Sequence, residues 1–339
     1  MAAGKVGEPL VEFRGLRTSF RTEGGVVRAV DEVSFKVNRG ETVCVVGESG
    51  CGKSVTALSL MRLISSPGRI DGGEVRFEGE DLLALREKQM RRIRGNEIAM
   101  IFQEPMSSLN PVFKVGAQIM EPLQEHRGMS RAQARSRVLE LLRMVGIARP
   151  EGVAEAYPHE LSGGMRQRIM IAIALSCEPK LLVADEPTTA LDVTIQAQIL
   201  DLMRDLSREL GTSILFITHD LGVVAEMADH VVVMYAGKVV EEAPVKELFR
   251  HPKHPYTQGL MKAKPMLGQS AERLYTIPGQ VRNPLTLGDF CAFHERCVHA
   301  MEICRTKQPP LEEQTAGHKA ACWLYEEDEH QEGVRRDGK

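Results

Sequence analysis

A glycine-rich segment between a strand-like and a helix-like segment constrains the fold of this chain most strongly. It reads GESGCGKS at residues 47–54, follows the apolar run ETVCVVG and precedes SVTALSLMRLI, whose apolar residues recur at helical spacing. Backbone N–H groups of such a loop converge on phosphate oxygens at the start of a helix. The alternative is a chance glycine-rich turn, but the flanking strand and helix favour a phosphate loop.

The composition is that of an ordinary globular protein. The 339 residues are 43% hydrophobic and 26% charged, and the formal net charge of −3 indicates no basic surface for nucleic acid. The N-terminus lacks the apolar core of a signal peptide, and no stretch reaches the roughly 18 to 20 apolar residues of a membrane helix. We therefore expect a cytosolic chain that does not bind nucleic acid.

The predicted loop supplies several candidate nucleotide ligands. Lys53 would contact the β and γ phosphates, and the Ser54 hydroxyl would bind Mg²⁺, because a hard cation shared with phosphates needs oxygen ligands. The other loop residues expected at the nucleotide are Gly47, Glu48, Ser49, Gly50, Cys51 and Gly52.

A second segment, LLVADEP at residues 181–187, predicts a buried strand that ends in two carboxylates. Asp185 suits a role at the Mg²⁺ ion, and Glu186 suits a base that polarises an attacking water. In combination with the phosphate loop, this segment indicates a nucleoside triphosphatase. TSILFITHD predicts another buried strand of a parallel sheet, and VVVMYAGKVVEE predicts a hairpin around Ala236 and Gly237.

Four of the seven cysteines lie in a polar, poorly periodic stretch near the C-terminus: Cys291, Cys297, Cys304 and Cys322. The other three sit in or beside apolar runs and are interpreted as small core residues. Because a reducing compartment disfavours disulfides, clustered cysteines indicate metal or redox chemistry. Four thiolates suit an iron–sulfur cluster or tetrahedral zinc, and nearby His294, His299 and His318 could replace a ligand.

Several further motifs follow one another over residues 10–250, and together they resemble the ATP-binding subunit of ABC transporters. These motifs are the signature LSGGM at 161–165, the Q-loop residue Gln103 in IFQEP, the D-loop Ala190, Leu191 and Asp192, and the switch residue His219 in ITHD. The resemblance implies a fold of the α/β class, a P-loop NTPase core of ABC type. To this core it adds an N-terminal antiparallel β subdomain, an inserted helical subdomain and a small C-terminal extension that carries the cysteines.

The resemblance also implies roles for individual residues. Ser162, Gly163 and Gly164 of one subunit would cap the ATP held by the phosphate loop of another, while Met165 stands where the family usually has glutamine. His219 would hold the γ-phosphate, and Gln103 would sense Mg²⁺ and couple to a permease. Phe20 is the candidate for stacking on adenine, although a core phenylalanine is an equal alternative.

The domain boundaries follow from changes in sequence pattern. We expect an ABC domain over 1–250, with its helical subdomain at about 108–178, and a C-terminal extension over 251–325. The charged residues 326–339 are expected to be disordered. Because the extension lacks the apolar periodicity of an independent core, a metal should hold it folded, and its loss should affect docking more than ATP binding.

The signature region and the cysteine-bearing extension are similar to the D-type ATPase subunit of oligopeptide and dipeptide importers. This similarity implies a peripheral subunit at the cytoplasmic face of the inner membrane that powers uptake of peptides; relatives take up nickel, opines or glutathione. Its partners would be a second ATPase subunit, homologous F-type or identical, two integral membrane permeases and, indirectly, an extracytoplasmic binding protein. In such subunits the four cysteines bind a 4Fe-4S cluster, with zinc or unliganded thiols as alternatives.

Two other functions remain open on the sequence. One is a soluble ABC ATPase that acts on nucleic acid or ribosomes, although such proteins tend to carry coiled-coil insertions or two cassettes in one chain. The other is a binding or redox-sensing module with vestigial ATP binding, which the intact Lys53, Asp185, Glu186 and His219 disfavour.

Overall fold

The computed structural model describes residues 8–103, 108–189, 191–263, 275–282 and 284–325. Within them the chain forms a large mixed sheet, a smaller antiparallel sheet, a group of helices inserted between two strands of the large sheet, and a C-terminal region of short elements. Ala190 of the predicted D-loop and the predicted disordered tail at 326–339 lie outside the described residues.

The large sheet forms the centre of the molecule. Its inner strands are parallel to one another, and almost every residue in them is buried, which confirms the parallel-sheet interpretation of LLVADEP and TSILFITHD. In spatial order its strands are Glu312–Thr315, His318–Ala320, Lys238–Pro244, His230–Tyr235, Thr42–Val46, Ser213–Thr218, Leu181–Asp185 and Ile98–Ile101. The predicted hairpin is also present, with Ala236 at φ 47° and Gly237 at φ 84° in its turn.

The N-terminal sheet is antiparallel, as expected from the sequence. Its strands, again in spatial order, are Gly25–Asn38, Pro9–Thr22, Gly68–Phe77 and Glu80–Asp81. Alternate residues of the two long strands are buried, and the rings of Phe13 and Phe35 stack with centroids 4.4 Å apart. The buried face of this sheet packs against one face of the large sheet. Helix Lys53–Leu60, which follows the phosphate loop, contributes to the same core.

The helices alternate with the strands or cluster between them. They are Lys53–Leu60, Glu87–Ile93, Val115–Arg127, Arg131–Met144, Pro150–Glu155, Gly163–Leu175, Val193–Leu210, Leu221–Met227, Val245–Arg250 and Pro255–Lys262. Those between 115 and 175 bury Ile119, Leu123, Val138, Leu142 and Ile169 in the main core. Five of the described helices begin at a side-chain N-cap, from Ser130, Ser162, Asp192, Asp220 and His254.

The chain after residue 250 continues the large sheet instead of forming a separate layer. Strand His318–Ala320 pairs with Lys238–Pro244, and the buried carboxylate of Glu241 accepts hydrogen bonds from the backbone N–H groups of Lys253 and His254. His318 Nε2 lies 2.7 Å from the same carboxylate. The boundary near residue 250 therefore stays a prediction, and the residues on its two sides share a core. In the part of the chain that is described, no helix is long and apolar enough to cross a membrane.

Candidate functional site

The phosphate loop joins the end of strand Thr42–Val46 to the start of helix Lys53–Leu60. Two of its glycines leave no room for a side chain: a Cβ at Gly47 would lie 2.2 Å from the Met234 carbonyl oxygen, and one at Gly52 would lie 2.2 Å from the Ala29 carbonyl oxygen. Gly52 also has φ 101°, which L side chains rarely adopt. Glycine is therefore required at both positions, because the loop is pressed against neighbouring backbone.

Lys53 and Ser54 lie at the base of this loop. The Lys53 ammonium group donates to the carbonyl oxygens of Gly47 at 2.7 Å and Glu48 at 3.0 Å, and the side chain is almost fully buried. The Ser54 hydroxyl donates to Asp185 Oδ1 at 2.9 Å. Burial raises the pKa of the Asp185 carboxyl above its usual range. Two oxygen atoms of the kind that bind a hard cation thus lie side by side near a buried positive charge.

Glu186 lies one residue beyond Asp185, where strand Leu181–Asp185 ends. Its φ is 46°, a left-handed conformation that is uncommon for a residue with a side chain. Its Oε2 accepts hydrogen bonds from Thr189 Oγ1 at 2.9 Å and Gln103 Nε2 at 3.3 Å, and its Oε1 lies 3.3 Å from His219 Nδ1. The structure therefore brings together the three residues that the sequence assigns to catalysis.

The signature residues lie elsewhere. The Ser162 hydroxyl caps helix Gly163–Leu175 by accepting from the Met165 N–H, while Ser162 and Gly163 are exposed. Gly164 is close to Ile195, which follows the D-loop. Among the described hydrogen bonds, none joins Ser162, Gly163 or Gly164 to the phosphate loop. An exposed helix start that makes no hydrogen bond to the phosphate loop among the described residues is compatible with a site shared between two subunits.

Phe20 lies on strand Pro9–Thr22, opposite Gly68, and its ring occupies the space that a Cβ at Gly68 would need. The ring is half-buried. Its position agrees with either role expected from the sequence, so the adenine contact stays a prediction.

The four late cysteines surround one small cavity. Its lining includes Cys291, Cys297, Cys304, Cys322, His254, Phe293, His294 and His299. None of the seven cysteines forms a disulfide, and Cys44, Cys51 and Cys177 are buried as expected. Burial raises the pKa of Cys291 to about 12 and that of Cys322 to about 11. His318, a possible substitute ligand, is instead fully buried against Glu241.

The cysteine cavity does not by itself form a metal site. Across the described residues, no group of three or more His, Cys, Asp or Glu side chains has an arrangement that could hold a metal ion. The iron–sulfur prediction is therefore not confirmed. What is observed is that the four cysteines line the same cavity.

Comparison with known sequences matches two families. The ABC transporter family matches residues 30–189, and the C-terminal region of oligopeptide/dipeptide transporters matches residues 240–304. The chain is 54% identical to the oligopeptide transport ATP-binding protein AppD of Bacillus subtilis, over 94% of this chain and 98% of that protein. It is 50% identical to OppD of Salmonella typhimurium, over 93% of each. The chain belongs to the ATP-binding proteins of ABC transporters.

Solved structures agree with this assignment. A dimeric ATP-binding cassette bound to ADP and phosphate in a post-hydrolysis state superposes with a TM-score of 0.63 and 29% identity, covering 69% of this chain and 98% of the other. CbiO1 of Clostridium perfringens, part of an ABC transporter complex, gives a TM-score of 0.61 and 26% identity, covering 72% and 92%. The family resemblance drawn from the motifs is confirmed, and this ABC protein is the ATPase subunit of a transporter.

Sequence reasoning missed three residues at the site of this ABC protein. Thr189 follows Glu186 by three positions, and only the fold shows that it holds the carboxylate. Tyr256 and Arg296 come from the C-terminal region and contact Glu48 of the phosphate loop. No local sequence pattern predicts the contacts of Tyr256 and Arg296, because more than half of the chain separates each of them from the loop.

Proposed function

We propose that this ABC protein hydrolyses ATP with Glu186 as the base and so powers the import of dipeptides or oligopeptides through partner permeases. The observation that carries the proposal is the arrangement of Glu186 between Gln103, Thr189 and His219, one residue from the Ser54–Asp185 pair. The cargo class rests on the match to oligopeptide/dipeptide transporters and on relatives named as oligopeptide transport proteins.

The phosphate loop would bind and orient the triphosphate. Its backbone N–H groups and the start of helix Lys53–Leu60 provide positive potential, and the Lys53 ammonium would exchange the carbonyl oxygens of Gly47 and Glu48 for phosphate oxygens. Ser54, Asp185 and Gln103 would hold Mg²⁺, and their oxygen donors suit that hard cation. When bound, Mg²⁺ neutralises the charge that develops on the phosphates.

Glu186 would then take a proton from the attacking water. Thr189 and Gln103 both bind Oε2, which fixes the carboxylate plane and leaves Oε1 facing His219. His219 is 62% exposed at its side chain, so it can reach a γ-phosphate without leaving a buried position. The strained backbone at Glu186 is a further indication that the carboxylate is held for chemistry.

The second half of each ATP site would come from another ATPase subunit. Ser162, Gly163 and Gly164 present backbone donors at the start of a helix, and they do so on the surface. A second copy or a homologous subunit would place these donors over the nucleotide. Closure of the pair on ATP and opening after hydrolysis would drive the permeases.

Docking to the permeases is supported by three exposed apolar side chains that lie before and after Gln103 in the sequence. Phe102 is 41%, Val112 71% and Phe113 55% exposed, and Phe113 lines a groove along helix Val115–Arg127. Exposed aromatic groups of this kind are typical of protein contacts. These side chains would face the permeases at the cytoplasmic side of the membrane, with the extracytoplasmic binding protein acting through the permeases.

Co-purification and transport would test this function directly. We expect the full chain to co-purify with two integral membrane proteins and a second ATPase subunit, and the reconstituted complex to accumulate peptides only with ATP. Phe113→Ser should weaken that co-purification while nucleotide binding, measured on the same sample, stays at the wild-type level. Co-purification with ribosomes or DNA in place of membrane proteins would contradict the proposal.

We also propose that the four late cysteines hold a metal, preferably a 4Fe-4S cluster and otherwise zinc. The residue types fit, because four free cysteines line one cavity together with Phe293 and Trp323. The described residues do not have a coordinating arrangement, so a metal would have to draw the four thiols together. A bound metal would hold Cys291 and Cys322 as thiolates although burial raises the pKa of both. It would also fasten the chain segments around 291, 304 and 322 to one another.

Protein purified without oxygen should therefore be brown and contain about four irons and four sulfides per chain. Cys297→Ser should remove the colour, whereas Cys177→Ala, at a buried cysteine outside the cavity, should leave metal content unchanged. Metal analysis and the visible spectrum measure both. A colourless preparation with one zinc per chain would exclude the cluster but keep the four-thiolate site, and a preparation without metal would exclude both.

A further inference from the structure

Glu48 of the phosphate loop is held by two residues that follow it by 208 and 248 positions. Arg296 donates two hydrogen bonds to its carboxylate, from Nη1 to Oε2 at 2.6 Å and from Nη2 to Oε1 at 3.0 Å. The Glu48 backbone N–H donates to the Tyr256 hydroxyl at 2.8 Å. One residue of the loop is thus fixed by the C-terminal region through both its main chain and its side chain.

Arg296 is itself fixed on every side. Its Nε donates to the Pro278 carbonyl oxygen at 3.0 Å, and its guanidinium carbon lies 5.8 Å from the ring centroids of both Tyr235 and Phe293. The side chain is only 6% exposed, against 28% for Glu48. A bidentate salt bridge between a buried guanidinium and a carboxylate is directional, and solvent and salt screen it less than an exposed ion pair.

The salt bridge between Arg296 and Glu48 lies directly before the exposed tip of the phosphate loop. Gly47 is pressed against the Met234 carbonyl, whereas Ser49 and Gly50 are exposed. The placement of the following N–H groups therefore depends on how firmly Glu48 is held. A phosphate cradle works through donors that are already in position, and small displacements of such donors are costly.

We infer that Arg296 is a positioning residue for nucleotide binding, which acts by holding Glu48 and with it the phosphate loop. The inference rests on the proposed role of residues 47–54 as the nucleotide site. It makes the affinity for ATP depend on a residue of the C-terminal region. Because such coupling is reciprocal, bound nucleotide in turn stabilises the segment around Arg296.

A double-mutant cycle on the full chain tests this role. Glu48→Gln and Arg296→Gln should each raise the Kd for a fluorescent ATP analogue with Mg²⁺ about tenfold, a common size for coupling between sites. The double variant should bind no worse than either single variant, because the lost interaction is the same. For Arg296→Gln the kcat at saturating ATP should change little, since Arg296 acts on the loop only through Glu48. Arg296→Lys should restore part of the affinity.

Glu295→Gln is the matched control. It removes an ion pair to Arg282 of 3.2 Å, one position from Arg296. Among the described residues Glu295 makes no hydrogen bond or ion pair to the loop, so the Kd should stay at the wild-type value. The inference is overturned if Glu48→Gln leaves the Kd unchanged while Arg296→Gln only lowers the melting temperature, or if the two effects multiply. A wild-type chain that binds no MgATP would overturn the proposed function itself, and this inference with it.

Discussion

Replacing Glu186 by glutamine should lower ATP turnover by about 10² to 10⁴-fold while ATP binding is kept, because the amide cannot accept a proton from water. The variant is nearly isosteric, and its carbonyl oxygen can still accept the hydrogen bond from Thr189 that now reaches Oε2 at 2.9 Å. The site should therefore keep its shape and lose only the base. Phosphate release under saturating MgATP measures the turnover, and titration with a fluorescent nucleotide measures binding.

Lys53→Ala should affect nucleotide binding, whereas Glu186→Gln should affect turnover. It removes the buried ammonium that contacts Gly47 and Glu48, so it should weaken nucleotide binding itself. The two variants then separate binding from chemistry. Turnover close to wild type in Glu186→Gln would remove Glu186 from the role of base and would leave the Gln103 and His219 contacts without a catalytic explanation.

Much of the fold could be predicted because its signals are local. Gly47 and Gly52 are recognisable in a glycine-rich motif, and the backbone next to each of them leaves no room for a side chain. The strand before Asp185 is buried on both faces and is recognisable as an apolar run. The order of motifs then assigned the family, which the comparisons confirmed. The convergence of Gln103 and His219 on Glu186 was implied by the resemblance, but its geometry needed the parallel order of the strands.

The contacts of the C-terminal region could not be predicted in this way. Arg296 stands in a stretch without periodicity, and its partner Glu48 is 248 positions away. From the sequence we expect the extension to be separate from the domain of the phosphate loop, so that its loosening would affect docking more than ATP binding. The structure joins the two through Arg296 and Tyr256, and strand His318–Ala320 extends the large sheet.

The sequence predicts which cysteines lie together but does not predict what they bind. Sequence spacing alone could not decide between a cluster, zinc and free thiols, because all three use the same side chains. The fold adds that Cys291, Cys297, Cys304 and Cys322 line one cavity. The choice between metals depends on the distances that four bound thiolates would adopt, and metal analysis of the protein measures that choice directly.

Gly163→Asp should abolish ATP-driven closure of two subunits while each subunit still binds nucleotide. Within its own chain the substitution is harmless: no heavy atom lies within 4 Å of a Cβ at Gly163, and a carboxylate at the start of helix Gly163–Leu175 is favourable. Any large effect must therefore come from the partner. A carboxylate about 4 Å from a triphosphate charge costs about 4 kcal/mol at an effective dielectric of about 20, or about 10³-fold in association.

Analytical ultracentrifugation with ATP, in the Glu186→Gln background that prevents hydrolysis, would measure the closed pair. Gly163→Asn has the same size without the charge and should lose much less closure. Gly152→Asp places the same charge at another glycine with open space around it, outside the signature, and should close like the parent. Normal closure of Gly163→Asp would contradict a shared site, because the helix start would then face no phosphate. Loss of nucleotide binding by the isolated subunit would instead mean that Gly163 acts within its own chain.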